Sequence, residues 1–366
     1  MSSRIKNIVT VSVMAALIFG LFIFCIVNPA DAFSESERRE LAQLPEVSAE
    51  SVFSGRFMKN FESYALDQFP LRDGFRTLRA LSGRYLFAQG DINGIYLCDG
   101  HVSKLDYPLN ADSVTHAAER FGYICEKYLD GTGSKVYLSV IPDKNYFLAE
   151  QSGHPSCDYG ELVRLLRENT ENMQYIDIFD LLDISDYYRT DTHWRQEKIT
   201  DVAERLAGEM GVTLGGEYET QTLGRPFYGV YYGQAALPLE PDEIVYLTND
   251  LLSGCTVYSH ESDSTGGIYD MERAAGKDPY ELFLSGPRSL LVLENPAAQT
   301  QRELIVFRDS FASSLVPLLA EGYSKITLVD IRYISPMVLG NFIDFHGQDV
   351  LFLYSTLVLN NSETIK

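Results

Sequence analysis

Glu303-Leu304-Ile305-Val306-Phe307-Arg308-Asp309-Ser310-Phe311 reads as a strand that stops at a hydroxyl and passes into a helix. Residues 304–307 form a short, continuous apolar run, the pattern of a strand covered on both faces in a parallel sheet. The helical pattern that follows, over 311–319, is closed by Gly322. In open sheets whose strands alternate with helices, chemistry collects at the carboxyl ends of the strands, where loops enter helices. Ser310 sits at such a junction. Its hydroxyl is a candidate nucleophile, and backbone N–H groups of the first helical turn could stabilise an oxyanion. Asp309 and Ser310 equally suit the cap of that helix, because short oxygen-bearing side chains are common at helix starts.

The same rhythm extends outward from this junction. Val114, Ala117, Phe121 and Ile124 make a helical stripe, followed by the strand-like run 135–141 and Pro142. A helix near 160–170, a strand at 174–179 and a helix after His193, with Ile199, Val202, Leu206 and Met210 on one face, continue it. Residues 212–285, rich in Gly, Tyr and Pro, read as irregular; strands then recur at 289–293, 326–329 and 350–353. Nearer the N-terminus, Phe57, Phe61, Tyr64 and Ala65 predict a helix closed by Pro70, and Phe69-Pro70-Leu71-Arg72-Asp73 starts a second amphipathic piece. Asn93-Gly94 and Asp99-Gly100 predict tight turns between short strands over 92–105. The fold class is therefore α/β, with a mostly parallel sheet.

Tyr187-Tyr188-Arg189-Thr190-Asp191-Thr192-His193-Trp194 supplies the complement to Ser310: a carboxylate two residues before a histidine, ending in the only tryptophan of the chain. In extended backbone, residues i and i+2 share a face, so Asp191 can hold the imidazole of His193 in one tautomer. Asp191, His193 and Ser310 are the candidate catalytic residues. Asp191 and Thr192 also fit the N-cap of the following helix, and His193 beside Trp194 also fits a satisfied, partly buried histidine. His101, His116, His154, His260 and His346 are isolated, so no metal is expected. Lys144, after the strand at 135–141, and Arg332 with Tyr333, after that at 326–329, are candidate substrate-binding residues, as is Arg308. A charged side chain ending a strand is as readily only solvated. Tyr228-Gly229-Val230-Tyr231-Tyr232-Gly233 could stack on sugar rings or pack on the sheet as a Tyr-rich strand.

The 366 residues are 45% apolar and 22% charged, the balance of a globular protein. With 51 acidic against 30 basic residues the net charge is −21, which repels phosphate backbones and makes nucleic acid an unexpected partner. After Arg4 and Lys6, residues 8–27 are almost uninterruptedly apolar, the length of a membrane-crossing helix. An uncleaved single-pass anchor with an extracytoplasmic domain is expected; the triplet Ala30-Asp31-Ala32 leaves a cleaved signal peptide and a secreted chain as the alternative. Cys25, Cys98, Cys125, Cys157 and Cys255 lack the short spacing of metal sites, and their pairing stays open.

The segment Tyr188-Arg189-Thr190-Asp191-Thr192-His193-Trp194 resembles the signature of the DHHW family of bacterial exported proteins, with Thr192 in place of the second letter. It is also similar to the Asp-x-His-Trp motif of the alginate O-acetylation proteins AlgJ and AlgX. Supporting segments are Phe57-Met58-Lys59-Asn60-Phe61-Glu62, Asp67-Gln68-Phe69-Pro70-Leu71-Arg72-Asp73, Asp91-Ile92-Asn93-Gly94-Ile95-Tyr96, Ile141-Pro142-Asp143-Lys144 and residues 306–313. The resemblance implies an SGNH-hydrolase-like, three-layer α/β/α domain over 57–366, with an Asp191, His193 and Ser310 triad in a chain order similar to a circular permutation of ordinary SGNH enzymes. An anchor over 1–29 and a juxtamembrane linker over 30–56 would precede it. It further implies acyl transfer, commonly of acetyl, or ester hydrolysis on a cell-surface polysaccharide, beside a membrane-bound O-acyltransferase and with no cofactor. A non-catalytic envelope module that binds glycan or partner proteins is the other expectation. Arg308 stands where many relatives have glycine, and Ser313 where an asparagine is expected, both next to the site of an oxyanion.

Overall fold

The computed structural model describes residues 3–34 and 36–366; Met1, Ser2 and Glu35, which fall in the expected anchor and juxtamembrane segment, lie outside them. The chain divides into two compact units, residues 1–92 with 232–238 and residues 93–231 with 239–366.

In the first unit, α1 (Ser3–Val27) is a 25-residue helix with no buried side chain. At about 1.5 Å per residue it is roughly 37 Å long, enough to cross a hydrocarbon core of about 30 Å. The chain beyond it is fastened to the junction between α2 (Arg56–Asp67) and α3 (Arg72–Tyr85). The Asp31 N–H donates to Gln68 Oε1 at 2.8 Å, and Gln68 Nε2 donates back to the Asp31 carbonyl at 2.8 Å. Arg39 forks onto Asp67 at 2.9 and 2.6 Å, holding that carboxyl down to about 2, while Arg72 and Arg76 both pair with Glu37. Gly233 passes so close to Ser36 that a Cβ would lie 1.8 Å from its carbonyl oxygen, so no side chain fits there.

The second unit is built on an eight-stranded sheet. Its strands are β1 (Lys135–Ile141), β2 (Gln174–Tyr175), β3 (Thr256–Ser259), β4 (Ser264–Gly266), β5 (Leu290–Glu294), β6 (Glu303–Arg308), β7 (Lys325–Val329) and β8 (Asp349–Ser355). Across the sheet the order is β4-β3-β5-β7-β6-β8-β1-β2. The five strands from β7 to β2 are parallel, and β5, β3 and β4 complete one edge with antiparallel pairings. The expected α/β class and mostly parallel sheet are present. Strand direction at β5 was not readable, because a short apolar run reports burial on both faces and not the sense of the chain. At 174–179 only two residues pair: Asp177 accepts the Phe179 N–H at 3.0 Å, an Asx turn that ends an edge strand early. Residues 212–285 are more regular than their composition suggests. They hold β3, β4 and the hairpin Glu219–Phe227 with Asp242–Thr248, whose alternation is broken where the register shifts between Thr222 and Pro226, around Gly224.

Helices cover both faces, giving three layers. Leu304 and Val306 of β6, with Leu351 and Leu353 of β8, pack on the side of α7 (Thr200–Glu209) and α8 (Ala312–Leu319). Ile305, Phe307, Val350 and Phe352 point the other way, onto α4 (Ala111–Ile124) and α6 (Tyr159–Glu168). This is the period of two expected of a strand buried on both sides. Between these helices, α5 (Lys144–Ser152) follows β1. Phe352 stacks on Phe307 with ring centroids 4.6 Å apart and meets Phe121 at 4.8 Å. Phe352→Ala is expected to cost about 3–5 kcal/mol, read as a lowered urea midpoint at unchanged slope. All five cysteines are free thiols; burial pushes Cys125 and Cys255 up to about 11 and Cys157 up to about 12.

Candidate active site

Ser310 leaves the carboxyl end of β6 one residue after Asp309, which is fully buried. Asp309 accepts the Phe311 N–H at 3.0 Å and the Ser355 N–H at 2.7 Å, so one carboxylate ties the β6–α8 turn to the end of β8. Ser310 is thereby held at the start of α8, half-buried, with its hydroxyl outside the core.

The second piece of the site is a tight loop closed by a bridge between Tyr187 and Trp194. The Tyr188 N–H donates to His193 O at 3.1 Å, and the Arg195 N–H to Asp186 O at 2.7 Å. Asp191 and His193 lie at its tip. The loop is clamped onto α8 by two side chains: the Trp194 indole N–H donates to Phe311 O and Ser314 Oγ, both at 3.0 Å, and Gln196 Nε2 donates to Ser314 O at 2.8 Å. Asp242 braces the other side, accepting the Arg189 N–H at 2.8 Å and the Thr190 N–H and hydroxyl at 2.7 and 2.6 Å.

These clamps bring the three expected catalytic residues into one hydrogen-bonded chain. Asp191 Oδ1 lies 2.6 Å from His193 Nδ1, and His193 Nε2 lies 2.8 Å from Ser310 Oγ. An ionised carboxylate only accepts, so Nδ1 carries the proton and Nε2 presents its lone pair to the serine hydroxyl. Asp191 is 2% exposed and His193 12%, so the carboxylate is shielded while the ring keeps an open edge. Asp191 also accepts the His193 N–H at 3.1 Å and, on Oδ2, the Val230 N–H at 2.8 Å. Gly229 makes that approach possible: a Cβ there would lie 2.3 Å from Asp191.

Tyr280 had no signal in the sequence, yet its ring lies flat on the His193 imidazole, centroids 3.9 Å apart and planes 9° apart. Its hydroxyl hydrogen-bonds Ser314 Oγ at 3.0 Å, and burial raises it well above its ordinary value, so it stays protonated. Phe311 flanks the ring at 5.0 Å. The Tyr228–Gly233 segment turns helical from Val230 and works through its backbone: Gly229 donates to Thr190 Oγ1 at 2.9 Å and Tyr231 to Thr190 O at 3.0 Å.

The four expected substrate-binding residues are differently placed. Lys144 is buried, and its ammonium donates to Tyr188 O at 3.0 Å and Arg189 O at 3.2 Å beneath the ring of Tyr231. Arg308 is also buried, donating to Ser313 Oγ at 3.0 Å and Asp309 O at 3.3 Å. Burial pulls its guanidinium down, and Asp330 opposes that pull. Arg332 forks onto Asp330 at 2.6 and 2.9 Å and lies over the Tyr333 ring, which is 51% exposed. A cavity of about 710 Å³ opens along the stem of the loop, lined by His101, Tyr187, Arg189, Arg195, Arg225 and Asp242; neither His193 nor Ser310 lines it. Among the described residues no group of three His, Cys, Asp or Glu side chains is placed to hold a metal.

Burial, opposed by Asp191, Asp242 and Asp143, pushes the Lys144 ammonium down to about 7. Between about 7 and the ordinary lysine value of about 10.4 the unfolded chain keeps a proton that the folded chain has shed, so stability rises with pH across that window. Asp143 is also held at about 7 by burial, with its own contribution below that pH, while the raised thiols of Cys125, Cys157 and Cys255 oppose the rise as pH nears the ordinary thiol value, so the Lys144 contribution is read as the difference between wild type and variant. Lys144→Met is expected to flatten the rise, measured as the difference in urea midpoint between pH 7 and pH 9.

No family model matches the chain, and no curated protein does. Solved structures do. A DHHW family protein from Eubacterium siraeum is 23% identical, covering 75% of this chain and 95% of that one, with a TM-score of 0.60. Bacillus cereus PatB1, seen with a sulfonyl adduct, is 19% identical over 73% of this chain and 97% of its own, TM-score 0.59. The O-acetyltransferase domain of Pseudomonas putida AlgJ is 14% identical over 73% and 92%, TM-score 0.46. At such identities the likeness is one of architecture: the chain has the three-layer α/β/α fold of a DHHW family protein and of PatB1.

Proposed function

We propose that the chain is a membrane-tethered, extracytoplasmic acyltransferase or esterase, working with acetyl in the first place, on hydroxyl groups of a cell-surface polysaccharide. Ser310 is the nucleophile, His193 the general base and then acid, and Asp191 the carboxylate that orients the imidazole. The observation that carries this reading is the unbroken chain from Asp191 through His193 to Ser310, with bonds of 2.6 and 2.8 Å.

In the first half-reaction Ser310 Oγ attacks the acyl carbonyl carbon as its proton passes to His193 Nε2. Asp191 stabilises the imidazolium. Collapse breaks the bond to the leaving oxygen, which takes the proton back from Nε2, leaving an acyl ester on Ser310. In the second half, a glycan hydroxyl gives its proton to Nε2 and attacks that ester; water in its place makes the reaction hydrolysis. The amide of Phe311 is engaged by Asp309 and that of Ser313 by Ser310 O, so the amides of Ser310 and Ala312 remain as the backbone donors for an oxyanion. Arg308 and Lys144 act on the site through the segments they hold; Tyr333 has a side chain open enough to meet a glycan, and Arg332, largely buried on Asp330, lies over its ring.

Support from outside the chain is of two kinds. PatB1, which shares the fold, takes a sulfonyl adduct, and sulfonylation is a reaction of activated nucleophiles. The resemblance to alginate O-acetylation proteins points to a polysaccharide acceptor and to a membrane-bound O-acyltransferase as acyl supplier. α1, apolar after the basic Arg4 and Lys6 of its first turns, fits a retained anchor, with cleavage at Ala30-Asp31-Ala32 as the route to a secreted form.

The direct test is to trap the intermediate. The detergent-solubilised full chain, mixed with p-nitrophenyl acetate and quenched in acid, is expected to carry one acetyl group on the peptide containing Ser310, seen by mass spectrometry. A folded chain that stays unlabelled, or labels elsewhere, leaves only the glycan-binding reading.

A further inference from the structure

Large apolar side chains face solvent in the first unit far more than in the second. Fourteen are exposed between Leu44 and Phe87, against eight among all described residues after them. On α2, Met58, Phe61 and Ala65 follow the i, i+3, i+7 spacing of one stripe; on α3, Phe75, Leu78 and Tyr85, at i, i+3 and i+10, share one face as well. The stripes are joined, because the rings of Phe69 and Phe75 meet edge to face at 5.6 Å. An amphipathic helix ordinarily turns its stripe to a core. These two turn theirs outward. Between them Leu71, 73% exposed, sits at φ 56, in the left-handed region that a branched side chain disfavours. The turn thus presents a leucine outward against both backbone strain and water.

Chain length and charge say what covers this face. Val27 ends α1, and Asp31, four residues on, is bonded to Gln68 beside Phe69. At about 3.5 Å per residue Asp31, bonded at the edge of the patch, lies within roughly 14 Å of the end of the apolar helix. Residues 49–87 carry six Lys and Arg against four Asp and Glu, the reverse of the chain's 30 against 51. Lys59 and Arg79 are exposed and in no ion pair among the described residues.

We infer that the face of α2 and α3 built on Met58, Phe61, Leu71, Phe75, Leu78 and Tyr85 lies in the headgroup interface of a phospholipid bilayer with anionic lipid. The inference rests on reading α1 as a span of that same bilayer. Aromatic and aliphatic side chains enter the boundary while arginine and lysine stay at headgroup level, the arrangement of an interfacial amphipathic helix. The unit is then held at two points, by the span and by the face, and cannot swing freely on a single tether.

The test uses the full chain in nanodiscs of phosphatidylglycerol and phosphatidylcholine, with Cys25→Ser and Cys98→Ser removing the accessible thiols. A nitroxide is placed through Leu71→Cys, Leu78→Cys or Tyr85→Cys, and through Asp344→Cys as a water-facing control, that side chain being 95% exposed. Three separate positions guard against one substitution disturbing the turn. The expected result is a raised ratio of oxygen to nickel-chelate accessibility at all three, corresponding to a depth of about 5–10 Å into the headgroup and acyl boundary. A ratio equal to that at Asp344, in a chain that resists alkaline carbonate extraction, overturns the inference while leaving the anchor in place. Extraction by carbonate overturns the anchor itself and the inference with it. Spin–spin broadening between labelled copies assigns the face to a second copy of this chain and overturns the lipid.

Discussion

Ser310→Ala is expected to lower kcat/KM for an activated acetyl ester by about 10⁴-fold or more, with the thermal midpoint little changed. The two readouts separate because of where the hydroxyl sits. Ser310 is half-buried, and its Oγ bonds the open edge of His193, so its removal leaves no donor or acceptor sealed from water. The backbone of the β6–α8 turn is fixed by Asp309 and not by Ser310, so the turn should survive the change. What is lost is the atom that bonds to the acyl carbon. His193→Ala should fall to a similar floor, since nucleophile and base act as a unit and their losses do not add. Turnover equal to wild type in both variants would remove the triad from consideration.

How much of this could be read beforehand follows from the range of the interactions. The β6–α8 junction and the Asp191 to His193 pair were legible because their signals are local: a run of apolar residues ending on a hydroxyl, and two side chains an i, i+2 step apart. That the two pieces meet was an expectation of topology and of the resemblance, with no local signal for it, since Ser310 and His193 are 117 residues apart. The groups that bring them together left no local mark. Gln196 reaches Ser314 across 118 residues, Thr190 reaches Asp242 across 52, and Tyr280 reaches Ser314 across 34. Nothing in the periodicity around Tyr280 or Asp242 distinguishes them from neighbouring Tyr and Asp. Lys144 illustrates the opposite error of scale: its place after a strand was readable, but its burial was not, because lysine is almost never fully buried unless paired. The tyrosine-rich segment drew notice for its rings, whereas Gly229 and Val230 serve Asp191 through backbone geometry that composition does not record.

Asp191→Asn is expected to reduce kcat/KM by about 10⁴-fold near neutral pH while the chain stays folded, and the reason lies in who donates to each carboxylate oxygen. Oδ2 accepts the Val230 N–H at 2.8 Å; Oδ1 accepts both the His193 N–H at 3.1 Å and its Nδ1–H at 2.6 Å. An asparagine has one acceptor to offer where the carboxylate has two. If its oxygen keeps the shorter backbone bond, from Val230, its NH₂ group faces His193 and can only donate. Nδ1 must then accept, the ring proton moves to Nε2, and Nε2–H confronts the Ser310 hydroxyl with no lone pair to receive a proton. If instead the oxygen keeps His193, the NH₂ group is driven against the Val230 N–H, and the negative charge that steadied the imidazolium is still gone. Either orientation disables the base, and each leaves one buried amide unsatisfied, at about 1–3 kcal/mol of stability. The measurement that separates this from simple unfolding is the rate of Ser310 acetylation in a single turnover, beside a near-ultraviolet dichroism spectrum, which reports the packing of Trp194 against α8. A native spectrum with acetylation at the wild-type rate would mean that the tautomer of His193 does not depend on Asp191.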